Sequence, residues 1–331
     1  TLDPKYEAAV VRSFGELVKK GYVYKDLKPV NWCTSCETAL AEAEVEYENH
    51  SSPSIYVKFK AQDPNTYFII WTTTPWTLLG NVAIAVHPDM VYAVLSVGNE
   101  DWVMLDGLVP KTMEKLKVSY KVGKKLKGKE LAGMTCKHPF IDRSSPVVLA
   151  DYVSSDEGTG CVHTAPGHGQ EDYLTGKKYD LPIVMPVNAK GVFDKTCGEF
   201  SGMEVRFANP KIVERLKNDG SLLVSEQITH SYPHCWRCKK PIISRATEQY
   251  FARIDHKGLR KKMLSIIKDS VKWYPASGEA RISSMLENRP DWCLSRQRHW
   301  GVPITAFKCK KCDEILLDHR GIEHVAKIIA K

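Results

Sequence analysis

Ser54-Ile55-Tyr56-Val57-Lys58-Phe59-Lys60 alternates apolar Ile55, Val57 and Phe59 with Tyr56, Lys58 and Lys60. A period of two places every second side chain on one face of an extended chain, so the stretch predicts a β-strand with a buried face. Apolar or alternating runs of strand length follow at 67–71, 82–86, 91–97, 102–105 and 147–150, and again at 160–163 and 183–187. Short strands at this density predict a β-rich, barrel-like unit. Asn209-Pro210 then opens a helix through Ile212, Val213 and Leu216 to Gly220 that closes the unit, since a cap residue, an early proline and a terminal glycine mark helix ends.

Before this unit, Asp3-Pro4 starts a helix whose Tyr6, Val10, Phe14 and Leu17 share one face, and Gly21 stops it. After about residue 223 the pattern turns helical, with Leu259, Met263, Ile266 and Ile267 on one stripe, before an aromatic and arginine-rich stretch from Trp292 to Trp300. The 331 residues are enough for two or three compact units, because domains usually run to roughly 100–200 residues. Hydrophobic residues make up 43% and charged ones 26%, and no apolar run approaches the roughly 20 residues of a membrane span. With no signal-peptide pattern at its start, the chain reads as soluble and cytoplasmic. A net charge of +8 permits an anionic partner. Segments such as Lys124–Lys129 are equally well read as solvated lysine surface, so charge alone does not decide.

Six of the ten cysteines fall in Cys-x-x-Cys pairs. Cys33-Thr34-Ser35-Cys36 and Cys235-Trp236-Arg237-Cys238 have the spacing with which two knuckles supply four thiolates to a tetrahedral ion. They predict a structural zinc held by Cys33, Cys36, Cys235 and Cys238, clamping the base of the β-rich unit that lies between the pairs. Neither pair sits in the strand-helix-strand context of a redox dithiol. The third pair, Cys309 and Cys312, is followed too closely by His319 and His324 for finger spacing, and reads as half a site whose partners lie beyond Lys331.

Trp71-Thr72-Thr73-Thr74-Pro75-Trp76-Thr77 sets four hydroxyls and two indoles at the end of an apolar strand. Hydroxyls there can position a water or a ribose. Strand preference accounts for any one threonine but fits four in seven residues poorly. Gly158 to Gly169 leads from a strand into a glycine-rich turn, with Glu171-Asp172-Tyr173 at a helix start. An imidazole at His163 and a carboxylate at Asp172 can hold the side-chain and ammonium ends of an amino acid, although a single histidine is more often structural. A metallohydrolase using His163, His168 and Asp172 lacks the His-Glu-x-x-His spacing.

Together, Trp71 to Thr77, His163-Thr-Ala-Pro-Gly-His168-Gly, Lys28-Pro-Val-Asn-Trp-Cys33, Ala39-Leu-Ala-Glu-Ala-Glu-Val-Glu-Tyr47 and Leu294-Ser-Arg-Gln-Arg-His-Trp-Gly301 resemble the isoleucine branch of the class I aminoacyl-tRNA synthetases, over essentially the whole chain. In the valine and leucine branches the threonine segment continues as Thr-Thr-Arg-Pro, whereas Thr74-Pro75-Trp76 stands here. The resemblance implies an α/β fold, with a β-barrel-like editing domain at 49–222 inserted between segments of a Rossmann-type catalytic core. Residues 1–48 would end the first half of that core with one zinc knuckle, and 223–331 would carry the second knuckle and begin the second half.

Neither His-Ile-Gly-His nor Lys-Met-Ser-Lys-Ser occurs, so ATP and Mg are expected only in the full-length enzyme. An editing site is needed because a pocket rejects a substrate one methylene too small by only about 1–3 kcal/mol, isoleucine against valine being the standard worked case. By resemblance, Asp172 anchors the ammonium of misattached valine and His163 shapes a pocket that excludes isoleucine. Thr72, Thr73, Thr74, Thr77 and Asn81 line the terminal adenosine, the ester and the attacking water, and Trp76 and His168 belong to the same binding set. The expected partners are the acceptor end of tRNA(Ile) and valine or isoleucine, met by a monomer without a membrane. Two readings compete: a zinc-stapled tRNA-binding module that hydrolyses nothing, and an adenylate-forming enzyme seen in part.

Overall fold

The computed structural model describes residues 2–331. Helix α1 (Pro4–Lys19) begins where Asp3 Oδ1 accepts the Lys5 and Tyr6 amides and ends before Gly21, whose φ of +78° suits glycine. The strands that follow are β1 (Val23–Cys33), β2 (Thr38–Leu40), β3 (Val45–Ala61), β4 (Thr66–Thr72), β5 (Ala83–Val86), β6 (Val91–Val97) and β7 (Glu100–Leu105). Helix α2 (Val109–Leu116), β8 (Lys121–Lys127), α3 (Gly128–Leu131), β9 (Thr135–Lys137), β10 (Ser144–Leu149), β11 (Val162–Thr164), α4 (Gln170–Lys178) and α5 (Val205–Asn218) come next. The chain continues through β12 (Leu222–Cys235), β13 (Ile243–Ala252), α6 (Leu259–Asp269), α7 (Ser277–Glu287), β14 (Trp292–Cys293), a short β15–β16 hairpin (Phe307–Lys308 and Ile315–Leu316) and α8 (His319–Ile329).

Two compact units divide the chain. One comprises 1–27, 38–41 and 247–331, in which α1 and α8 bury Val11, Ile322 and Ala326 together with Phe14 and Val18. The other comprises 28–37 and 42–246 and holds a ten-stranded sheet in the order β11-β5-β10-β9-β3-β4-β7-β6-β8, with β12 paired to β3. Ile55, Val57 and Phe59 are fully buried as their alternation predicts, each contributing about 1.5–3 kcal/mol. Tyr56 on the opposite face is buried too, packed with Ile69, Leu95, Trp102 and Met104.

Several sequence expectations are corrected. The barrel does not close: β11 and β8 end the sheet, and β11 comes beside β4 without a backbone ladder. The short β11 follows a turn with positive φ at Gly158 and Gly160, and Thr159 in that turn accepts the Leu105 amide, so turn rather than strand occupies the seam. Residues 183–187 form no strand but one isolated bridge, Val187 to Phe193, because Pro182 and Pro186 lack ladder donors. Helix α5 begins at Val205, not at Asn209, and carries Pro210 inside it. Beyond residue 222 the chain first forms β12 and β13 before any helix, and β12 runs antiparallel to β3 from Leu222 opposite Val57 to Cys235 opposite Val45. Positions 48/49 lie within β3 and 222/223 within β12. No helix among the described residues is long and apolar enough to cross a membrane.

One glycine tests the packing. A Cβ on Gly128 would lie 1.9 Å from the His87 carbonyl oxygen and 3.1 Å from the Tyr92 ring. Gly128→Ala is expected to destabilise the β-rich unit by about 3 kcal/mol, read as a lower urea midpoint at unchanged slope.

Candidate active site and metal centre

Strand β4 delivers Thr72 to a turn that Pro75 continues as a 3-10 helix through Gly80. The hydroxyls link up there. Thr72 Oγ accepts the Thr74 amide at 3.1 Å and lies 3.3 Å from Thr74 Oγ, which is 3.2 Å from Thr77 Oγ. Thr77 Oγ donates to the Thr74 carbonyl at 2.8 Å and meets His163 Nε2 at 3.1 Å. Its only hydrogen is committed to the carbonyl, so it accepts from His163, and Nε2 carries the ring proton. His163 Nδ1 is then a bare acceptor, buried with no partner among the described residues.

His163 sits on β11, and Asp172 falls in the first turn of α4, where the helix dipole favours a negative charge. Asp172 Oδ2 accepts the Ala165 amide at 2.9 Å and Oδ1 accepts the Tyr152 hydroxyl at 3.1 Å. Burial pushes its carboxyl above the usual range, and the amide and hydroxyl bonds pull it back down. The backbone makes way at Gly169, where a Cβ would lie 3.0 Å from the Asp172 carboxylate.

A cavity of about 340 Å³ is lined by Thr72, Thr73, His163 and Asp172, together with Trp71, Tyr152, Glu157 and Glu171. A second, of about 380 Å³, is lined by Thr73, Thr74 and Trp76 with His50, Arg206 and Tyr232. Thr73 therefore borders both. The other expected residues lie elsewhere. Asn81 is wholly buried, its Oδ1 accepting from Ser145 and its Nδ2 donating to the Ala83 carbonyl, so it braces the turn from beneath. His168 is buried edge-on against Trp76 at 4.7 Å, with Nδ1 at 3.1 Å from the Ser244 carbonyl. Tyr152, Glu157 and Glu171 were not read from the sequence; only Glu171, next to Asp172 at a helix start, carried a signal.

Burial lowers the pKa of His163 to about 4, of His168 to about 4 and of His138 to about 3. Above the ordinary value near 6.5 these rings are neutral whether folded or not, and their contribution to stability is intact. Below it the unfolded chain gains protons that the folded one refuses, so stability falls until the folded values are reached. The expected denaturation midpoint is flat from pH 7 to 8 and declines from about pH 6.5 towards 4, which urea titrations across that range would measure.

The cysteine pairs meet. Sγ atoms of Cys33, Cys36, Cys235 and Cys238 all lie within 4.8 Å of one another, with Cys33 and Cys238 at 3.5 Å. A tetrahedral zinc with bonds near 2.3 Å sets sulfurs about 3.8 Å apart, so the donors and spacing fit. β1 ends at Cys33 and β12 at Cys235, and the residue after each second cysteine, Glu37 or Lys239, turns the chain with positive φ. The Cys36 amide points at Cys33 Sγ at 3.3 Å. Burial pushes the Cys33 thiol well above its ordinary range, so holding it as a thiolate needs a cation. This four-cysteine cluster could hold zinc. Among the described residues it is the one group able to hold a metal: His163, His168 and Asp172 form no such set, and neither do the exposed Cys309 and Cys312.

The family model for class I tRNA synthetases (I, L, M and V) matches residues 1–331. The chain is 55% identical over 330 residues to the isoleucine--tRNA ligase of Fervidobacterium pennivorans, covering 99% of this chain and 36% of that protein. It is 54% identical over 335 residues to that of Thermotoga maritima, covering 100% and 36%. The chain thus spans about 36% of the length of these relatives. A solved structure, "The crystal structure of GlLeuRS-CP1", aligns over 55% of this chain and 99% of its own at 15% identity, with a TM-score of 0.43.

Proposed function

Since the chain belongs to the class I tRNA synthetases that comprise the I, L, M and V enzymes, we propose that residues 49–222 form an inserted editing domain that hydrolyses valine from mischarged tRNA(Ile). One observation carries this reading. Thr72, Thr73, a neutral His163 with an unpartnered acceptor, and the Asp172 carboxylate converge on one cavity.

Asp172 pairs with the α-ammonium, and three carboxylates around the cavity (Glu157, Glu171 and Asp172) favour a cation there. His163 is held at Nε2 by Thr77 and stands as a wall to the amino-acid side chain, its Nδ1 accepting from the substrate. The threonine hydroxyls orient a water whose oxygen attacks the ester carbonyl carbon. The bond to the ribose oxygen then breaks, that oxygen takes a proton, and valine leaves. An aminoacyl ester is already activated, so orientation and hydrogen bonds to the developing oxyanion supply the acceleration.

Zinc on Cys33, Cys36, Cys235 and Cys238 would fix the two strand ends at the base of the insert. Residues 1–48 and 223–331 would belong to the catalytic core, whose ATP and Mg chemistry and isoleucine ligation are those of the full-length cytoplasmic enzyme.

The test is deacylation of Val-tRNA(Ile) by this chain. Turnover well above the spontaneous rate is expected, and binding without turnover would favour the tRNA-binding module. His163→Ala is expected to open the pocket, raising hydrolysis of Ile-tRNA(Ile) by at least about tenfold, the scale of one methylene's discrimination. Unchanged discrimination would remove the sieve role.

A further inference from the structure

Behind the threonine turn lies a third cavity, of about 230 Å³, lined by Leu79, Phe140, Ile141, Val184 and Phe200 with Arg143 and Cys197 on its wall. Arg143 is half-buried. Its Nη1 donates to the Leu79 carbonyl at 3.1 Å and the Asn81 carbonyl at 2.6 Å, while Nε and Nη2 have no acceptor among the described residues. No carboxylate pairs with it. Glu199 on the rim is engaged by Lys211 at 3.7 Å and Arg215 at 3.1 Å, and Asp194 caps the turn that carries Cys197 by accepting the Thr196 amide.

A half-buried guanidinium bonded only to neutral carbonyls keeps Nε and Nη2 free for an anion. Its planar fork matches a carboxylate, which can accept from both nitrogens at once. Thr196 and the ion-paired Glu199 complete the lining on one side, and the wall opposite them is apolar and aromatic. Since an apolar cavity of about 150 Å³ takes benzene, this one has room for a ring and a carboxylate.

We propose that this cavity binds small monocarboxylates with a single ring or branched apolar body, the carboxylate on Arg143 and the body against Phe140, Ile141 and Phe200. The site does not depend on the editing reading. It adjoins the threonine turn through Leu79, through His138 on the Leu78 carbonyl, and through the two carbonyls that Arg143 holds.

Benzoate and its neutral counterpart benzamide test this in the unaltered chain, by titration followed in the methyl resonances of Ile141 and Val184. Saturable shifts with benzoate at an affinity at least tenfold above that of benzamide are expected. Equal affinities, or no shift of those methyls, would overturn the assignment. In Arg143→Gln, benzoate binding is expected to fall to the benzamide level, and undiminished binding would also overturn it. Should that variant fail to fold, the benzoate and benzamide comparison decides alone.

Discussion

Replacing Asp172 with alanine is expected to lower deacylation of Val-tRNA(Ile) by roughly 30- to 5,000-fold, the rate equivalent of about 2–5 kcal/mol for removing one partner of a buried charge pair. Both carboxylate oxygens are oriented, one by the Ala165 amide and one by the Tyr152 hydroxyl, so a bound ammonium meets a preset charge. Asp172→Asn keeps an acceptor and the size of the side chain but removes the charge, and it should lose nearly as much activity at unchanged circular dichroism. Single-turnover deacylation at pH 7 measures both. Wild-type rates in either folded variant would take Asp172 out of the mechanism.

Removing a zinc knuckle should have the largest effect on stability. Structural zinc contributes up to about 10–16 kcal/mol in small knuckle-built domains. Cys33 and Cys235 are buried ends of the long strands β1 and β12. In Cys235→Ser the expected result is loss of bound zinc after dialysis and a thermal midpoint lowered by many degrees, followed by metal analysis and calorimetry. Cys312→Ser, on an exposed hairpin turn, should leave that zinc and midpoint unchanged. Retained zinc and an unshifted midpoint in Cys235→Ser would refute a metal at the four-cysteine cluster.

Much of this was legible in the sequence, for physical reasons that can be named. Helix α1 was announced by Asp3, Pro4 and Gly21, whose local hydrogen bonding and backbone preferences act without the rest of the chain. Strand β3 was announced by alternation at 54–60 and β4 to β7 by short apolar or alternating runs, most of whose apolar residues are buried. By contrast, β12 carries Ser225, Glu226, Gln227, Thr229 and Ser231. It is held by thirteen residues' worth of pairing with β3 rather than by an apolar face, and hydrophobic periodicity cannot report that. Pro210 looked like a helix start because proline suits a first turn, but here Val205 begins the helix and Asn209 accepts the Trp76 amide from inside it.

The site divides in the same way. His163 and Asp172 stood out by residue type and glycine context, and one cavity gathers them with Thr72 and Thr73. Asn81, named by resemblance, has its side-chain amide engaged by Ser145 and the Ala83 carbonyl, and His168 packs on Trp76 with Nδ1 at the Ser244 carbonyl, placements set by tertiary packing. Tyr152 was invisible because its importance arises only when the chain folds back to bring Asp172 within 3.1 Å.

The central claim is that the cavity bordered by Thr72, His163 and Asp172 is where a misattached valine is bound for hydrolysis. A crystal structure of the chain with a non-hydrolysable valyl-adenosine, an amide replacing the ester, tests it most directly. The ligand is expected in that cavity, with its ammonium at about 3 Å from the Asp172 carboxylate and its side chain against His163. A ligand seated elsewhere, or one whose ammonium faces away from Asp172, would contradict it.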